Sequence, residues 1–237
     1  MKTIIILHGW QSSKEKWQKI KELLENRGLK VITLDLPGFK SETKLKKVWN
    51  LDDYLNWVND FIENCRETPF LLGHSFGGRI ALKYSFKHPD KVKGLFLVSS
   101  AGIRPRRKLF YKIFGKGAWL IRKLKIEEIP LIKNIWFLAR KFFYYFILRR
   151  KDYFKTSGFL KPTIKNIIEE DLTPILGEIK VPAYIIWGEN DVITPLSDAY
   201  LMNKEIKNSQ LKILEKIGHT PHLENPRLLA DSIVSFL

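Results

Sequence analysis

The chain has 237 residues, 45% of them hydrophobic and 13% aromatic, with a single cysteine and a net charge of +16. That length and apolar content suit one domain, or one domain carrying an insertion. The lone Cys65 excludes an internal disulfide and any multi-cysteine metal site, and the chain contains no run of about 18 uninterrupted apolar residues such as a membrane-crossing helix needs.

The charge is concentrated. Residues 104–170 hold 18 Lys/Arg against five Asp/Glu, a net of +13, and the rest of the chain is nearly balanced. The N-terminal run Ile4-Ile5-Ile6-Leu7 is too short for a signal peptide and is followed by His8-Gly9-Trp10 in place of a small-residue cleavage site. It is expected to be a buried strand, and the protein to be cytoplasmic.

Taken in order, Thr3 to Leu7 is a continuous apolar run, as a central parallel strand requires. Trp17, Ile20, Leu23 and Leu24 then fall at helical spacing, stopping at Arg27-Gly28. Val31 to Leu34 predicts a second strand, closed by Asp35-Leu36-Pro37-Gly38, and Leu51 to Ile62 a helix with Asp52 and Asp53 at its positive end. Phe70 to Leu72 is the third strand, with a helix from Arg79 to Tyr84 and beyond, and Gly94 to Ser100 the fourth. The strand and helix rhythm stops between Arg104 and Glu170. It resumes with a strand at Val181 to Trp187, a helix at Leu196 to Ile206, a strand at Gln210 to Leu214 and a helix at Leu228 to Leu237. The alternation predicts a mostly parallel, doubly wound α/β sheet of about six strands, with ligands bound at the carboxyl ends of the strands.

Between the third strand and its helix lies Gly73-His74-Ser75-Phe76-Gly77, of the form G-x-S-x-G. A strand, a tight turn and a helix form the setting of a nucleophile elbow. The turn strains the serine backbone, so small residues must flank it; Gly78 then lets the helix pack. Ser75 Oγ is expected to stand exposed at the sheet edge, with the Phe76 N–H at a helix N-terminus facing an oxyanion. A serine hydroxyl needs a base to take its proton and a carboxylate to orient that base. Asp191, in Gly188-Glu189-Asn190-Asp191, and His219, in Gly218-His219-Thr220-Pro221-His222, both follow later strands. Each alone is a weak signal; the order Ser, Asp, His at three strand ends is a strong one.

On these stretches, with His8-Gly9-Trp10, Asp35-Leu36-Pro37-Gly38, Glu224 and Pro226, the sequence resembles the α/β-hydrolase superfamily. In particular it resembles small capped carboxylesterases of the pimeloyl-acyl-carrier-protein methyl ester esterase type. The resemblance covers the sheet domain and leaves out the middle insertion. It implies that Ser75 is the nucleophile, His219 the general base and acid, and Asp191 the orienting carboxylate. The backbone N–H groups of Trp10 and Phe76 would form the oxyanion hole, and Trp10, His74 and Phe76 would contact substrate. His222 lies three residues from His219, but Gly218-His219 fits the family position. Asp198 sits on an expected helix and Glu189 lies early in its loop, so Asp191 is preferred. His8 is expected to shape the oxyanion loop, and His74, as the variable elbow residue, to pack. The chain departs from the family pattern by a lysine, Lys40, after the Pro-Gly turn. It also begins at the oxyanion-loop strand, so the usual N-terminal hairpin is expected to be absent.

Serine at the elbow, in place of aspartate, directs the chemistry to acyl transfer. No metal-ligand set or phosphate-binding glycine loop is present, so no cofactor and no metal are expected. Residues 1–103 and 171–237 are expected to form the hydrolase core, and residues 104–170 a helical cap. For the basic, aromatic cap three readings stay open: a solvated face over an apolar packing face, an acyl pocket whose basic rim draws anionic or carrier-linked esters, and peripheral contact with an anionic membrane. Nucleic-acid binding lacks any accompanying motif. The expected function is a serine hydrolase cleaving esters of short to medium acyl chains. A C–C hydrolase or acyltransferase with the same triad is the alternative, or a non-catalytic hydrolase-like binding module. The sequence carries no signal of oligomeric state.

Overall fold

The computed structural model describes residues 1–40, 43–103 and 158–237. These belong to one compact unit, formed by residues 1–103 and 157–237. Of the expected cap, residues 104–157 lie outside the described residues, and the readings of its basic and aromatic side chains lie there with them.

Six strands form one sheet in the order β2-β1-β3-β4-β5-β6, every neighbouring pair parallel. They are β1 (Thr3–Leu7), β2 (Lys30–Leu34), β3 (Phe70–His74), β4 (Gly94–Val98), β5 (Ala183–Gly188) and β6 (Ser209–Leu214). All residues of β1, β3 and β4 are buried, which is why these strands read as unbroken apolar runs. Alternate side chains serve two cores. Ile5, Leu7, Leu71, Leu95, Leu97, Ile185 and Trp187 join one cluster. Ile4, Ile6, Leu72, Phe96, Val98 and Ile186 join the other.

The first face is covered by α2 (Leu51–Glu63), α3 (Phe76–Lys87), α4 (Leu160–Glu169) and α5 (Leu196–Glu205). The opposite face is covered by α1 (Gln18–Glu25) and the C-terminal helix α7 (Pro226–Ser235), which follows the single turn α6 (Pro221–Glu224). Helix α2 begins with a full capping box: Asn50 accepts from the Asp53 N–H at 3.0 Å and Asp53 accepts from the Asn50 N–H at 2.8 Å. Asn225 caps α7, accepting from the Leu228 N–H at 3.1 Å, which starts that helix two residues before the apolar pattern does.

Of the strand ends that differ from expectation, two do so for clear local reasons. β4 stops at Val98 because Ser99 turns into the left-handed region, φ 43°. β5 starts at Ala183 because Pro182 has no N–H; its carbonyl instead accepts from the Leu95 N–H at 2.8 Å. Residues 160–169, near the end of the segment expected to be cap, pack with the sheet unit. Ile167 is 1% exposed in the first core, and the Arg79 guanidinium on α3 donates to the carbonyls of Ile167, at 2.7 Å, and Glu170.

The sheet order changes direction between β1 and β3. The chain runs outward from β1 to β2, then returns to the other side of β1. Crevices at the carboxyl ends of strands open at such a switch point. Gly9-Trp10 follows β1 and Ser75 follows β3, so the two stretches expected to supply an oxyanion donor and a nucleophile flank it. Among the described residues, no helix is long and apolar enough to cross a membrane.

Candidate active site

Ser75 sits on the turn between β3 and α3 with φ 51° and ψ −112°. For a residue with a Cβ this is a strained conformation, costing on the order of 1–3 kcal/mol, and it persists only where the surroundings impose it. Here they do. The Ser75 N–H donates to the Val98 carbonyl at 3.2 Å, and its own carbonyl accepts from the N–H groups of Gly78 and Ala101, both at 3.0 Å. A side chain at position 77 would meet the Leu7 carbonyl, and one at position 73 the backbone of Gly77 and Gly78. Both glycines are therefore needed for the strand, turn and helix to close this tightly. Ser75 itself remains partly exposed.

Asp191 and His219 come from the loops after β5 and β6, which are tied together. The Asn190 N–H donates to the Ile217 carbonyl at 2.8 Å, and Gly188 leaves no room for a side chain against the carbonyls of Ile217 and Gly218. His219 Nδ1 lies 2.8 Å from Asp191 Oδ2. The Asp191 side chain is 0% exposed, and its other acceptor sites are filled. Oδ1 accepts from the N–H groups of Ile193, at 2.8 Å, and Thr194, at 2.9 Å, and Oδ2 accepts from the Thr194 hydroxyl at 2.7 Å. Burial pushes this carboxyl up, but the hydrogen bonds from His219, Thr194 and Ile193 outweigh it and hold it below the usual carboxylate range. An ionised acceptor facing Nδ1 fixes the imidazole as the Nδ1–H tautomer and leaves Nε2 as a base. Glu224 grips the turn that carries His219, accepting from the N–H groups of Gly218, at 2.6 Å, and Thr220, at 2.9 Å. Among the described residues no hydrogen bond joins Ser75 to His219; catalytic contacts of this kind commonly tighten in the substrate complex.

The loop after β1 is set by His8. Its Nε2 accepts from the Leu36 N–H at 3.0 Å, so the ring proton is on Nδ1, which donates to the Gly9 carbonyl at 2.8 Å. That carbonyl also accepts from the Ser12 N–H at 3.2 Å. Because a trans peptide points its C=O and N–H in opposite directions, the Trp10 N–H is turned the other way. Burial lowers the His8 pKa and keeps the ring neutral for this double duty. Among the described residues, neither the Trp10 nor the Phe76 N–H has a hydrogen-bond partner. Phe76 is the first residue of α3, so its N–H also carries the positive end of the helix dipole.

Of the three residues expected to contact substrate, Trp10 keeps a partly exposed side chain, edge-on to Phe39 at 4.8 Å and Phe76 at 5.2 Å. The Phe76 and His74 side chains are each 4% exposed and face inward instead. Phe76 packs against Tyr54, and His74 points beneath the site toward Trp17 and His222. Strand alternation is the reason for His74, since it shares a face with Leu72. His222 is stacked flat on Trp17 at 4.2 Å, and burial pushes its pKa down to about 3. It is His219 that meets a carboxylate. Thr194 is the residue that sequence reasoning missed; its signal is the Asp-x-x-Thr-Pro turn leading into α5. Among the described residues no cluster of His, Cys, Asp and Glu could hold a metal ion.

The six-stranded parallel sheet with its flanking helices is an α/β-hydrolase fold. Residues 2–115 match the family model described as the alpha/beta hydrolase fold. Monoacylglycerol lipase ABHD6 of Bos taurus is 28% identical over 262 residues, covering 99% of this chain and 75% of that protein. The 2-hydroxy-6-oxononadienedioate/2-hydroxy-6-oxononatrienedioate hydrolase 1 of Pseudomonas putida is 26% identical and covers 99% of this chain and 87% of its own length. The solved structure of the esterase EaEST from Exiguobacterium antarcticum superposes with a TM-score of 0.74 at 23% identity, over 100% of this chain and 91% of that one. The chain thus has the α/β-hydrolase fold and is similar to lipases and esterases built on it.

Proposed function

We propose that the chain is a serine hydrolase that cleaves carboxylic esters of short to medium acyl length through an acyl-enzyme on Ser75. The observation that carries this reading is the pair of His219 with the buried Asp191 at 2.8 Å, delivered by the loops after β5 and β6 to the same carboxyl edge of the sheet as the strained Ser75 turn. In this reading Ser75 Oγ attacks the ester carbonyl while His219 Nε2 takes its proton. The developing oxyanion is held by the N–H groups of Trp10 and Phe76. His219 returns the proton to the leaving alcohol, and a water molecule, deprotonated by the same nitrogen, hydrolyses the acyl-enzyme. The monoacylglycerol lipases among the relatives support an ester as the substrate and make 1-monoacylglycerols substrates to try first.

A second reading shares the triad. The Pseudomonas putida relative carries the name of a hydrolase of a 2-hydroxy-6-oxo dienedioate, which favours C–C cleavage beside a carbonyl. Hydrolysis of p-nitrophenyl esters of increasing acyl length, with 1-monoacylglycerols and a 2-hydroxy-6-oxo dienoate in parallel, separates the two. Turnover that peaks at one ester chain length and disappears in Ser75→Ala is the expected result. Turnover of the dienoate alone would replace the ester reading with the second one.

A further inference from the structure

His74 touches each of the three parts of the site without facing its opening. It is the last residue of β3 and is bonded to Ser75. Its Nε2 lies 2.8 Å from the backbone carbonyl of His219. On the other edge, a Cβ placed on Gly9 would stand 2.9 Å from His74 Nδ1, so the ring is packed directly against the oxyanion loop. Three further rings pack around it, those of His222 at 4.7 Å, His219 at 5.0 Å and Trp17 at 5.8 Å between centroids.

A carbonyl oxygen only accepts, so the nitrogen facing it must carry the proton. His74 is therefore the neutral Nε2–H tautomer, and its Nδ1 lone pair is buried without a hydrogen-bond partner among the described residues. A leucine would fill the same space without stranding a polar atom. What the imidazole adds is a directed tether from the nucleophile strand to the backbone of His219, across 145 positions of sequence.

We infer that His74 is a positioning residue for this hydrolase: its Nε2–H holds the His219 carbonyl, and its ring edge rests on Gly9, so that base, nucleophile and oxyanion loop keep one register. Burial, with the neighbouring imidazoles of His222, His219 and His8, drives the His74 pKa well below its ordinary value, so the ring stays neutral and does not exchange tautomers as pH varies. The inference rests on the serine-hydrolase reading of Ser75 and His219.

The test compares the full chain with His74→Gln and His74→Leu. A glutamine amide nitrogen is the same number of bonds from Cα as Nε2 and can donate to the same carbonyl; leucine cannot. With p-nitrophenyl butyrate, His74→Leu is expected to lose kcat by about 100-fold, the scale of a small misplacement of a catalytic group, with KM changed by less than about threefold. Its pH profile of kcat/KM is expected to shift as well, and His74→Gln to recover most of the loss. Wild-type kcat and profile in His74→Leu, or equal losses in both variants, would overturn the tether. Nitrogen-15 spectra of the wild-type histidines decide the point even if His74→Leu does not fold. An Nε2–H tautomer that fails to titrate between pH 5 and 8 supports the tether, and an Nδ1–H tautomer or a titrating ring overturns it. A wild-type chain that neither turns over esters nor reacts with a fluorophosphonate would overturn the underlying hydrolase reading instead, a result distinct from an active wild type with an unaffected His74→Leu.

Discussion

Thr194 closes on Asp191 from two sides, its backbone N–H donating to Oδ1 at 2.9 Å and its hydroxyl to Oδ2 at 2.7 Å. The oxygen that meets the hydroxyl is the one that meets His219. The threonine thus fixes the direction in which the carboxylate addresses the imidazole. A hydrogen bond to a buried charge contributes about 1.5–3 kcal/mol, so Thr194→Val is expected to lower kcat by about 10-fold or somewhat more, with KM little changed. Asp191→Asn is expected to lower it by about 10⁴-fold, because an amide holds the wrong tautomer of His219. Steady-state ester kinetics check both, and a Thr194→Val enzyme as damaged as Asp191→Asn would contradict the division of roles.

His8 offers a similar test of the oxyanion loop. His8→Leu removes both the acceptor for the Leu36 N–H and the donor to the Gly9 carbonyl. The Gly9–Trp10 peptide is then free to rotate its N–H out of line. Loss of one oxyanion donor costs about 10²–10³ in kcat, and His8→Leu is expected to approach that range. The rate of fluorophosphonate labelling of Ser75 should fall in parallel. Unchanged kcat would mean that the Trp10 N–H is not positioned through His8.

Acid should destabilise the fold in a particular window. His8, His74 and His222 are all held below the ordinary value of 6.5 by burial, His222 at about 3. The unfolded chain takes up these protons near 6.5 and the folded chain does not. Below 6.5 the unfolded state therefore binds more protons, and stability falls as pH falls, by up to about 1.4 kcal/mol per pH unit for each histidine. The depressed carboxyl of Asp191 adds a loss of the same sign at lower pH. Urea midpoints should be lower at pH 5 than at pH 7, and His222→Phe, which keeps the stack on Trp17, should remove part of the slope. Equal midpoints at the two pH values would contradict the buried, neutral state of these rings.

Gly77→Ala probes the elbow without touching a reacting group. Its new methyl would meet the Leu7 carbonyl, a backbone atom that cannot move without disturbing β1. A loss of about 3 kcal/mol or more is expected, read as a large drop in the thermal midpoint. A stable Gly77→Ala protein would mean that β1 and α3 are not this close.

The sheet was legible because β1, β3 and β4 are buried on both faces, so polar residues occur only at their ends, Thr3 in β1 and His74 in β3. Their ends were less so, since Ser99 leaves β4 through a left-handed backbone that nothing in Gly94 to Ser100 announces. Of the candidate site, Ser75, Asp191 and His219 could be named because each follows an apolar run at a turn rich in glycine. The tether from His74 to His219 could not, because it spans the fold and the sequence shows only a histidine in an elbow. The lysine that breaks the family pattern also has a spatial reason. Lys40 pairs with Asp35 at 2.8 Å and with Glu15, bracing the loop that His8 holds through Leu36. Residues 158–170 read as cap because the strand and helix rhythm resumes only after them, yet the hydrogen bonds of Arg79 and the ion pair of Lys83 with Glu170, at 2.6 Å, bind the end of that stretch to α3.

The central claim is that Ser75 carries the acyl group. Intact-protein mass spectrometry of the chain quenched during turnover of a p-nitrophenyl ester, followed by peptide mapping, tests it most directly. The account predicts an added acyl mass on the peptide that contains Ser75, and neither that mass nor turnover in Ser75→Ala. Ester hydrolysis at the wild-type rate by Ser75→Ala, or an acyl group mapped to another residue, would contradict it.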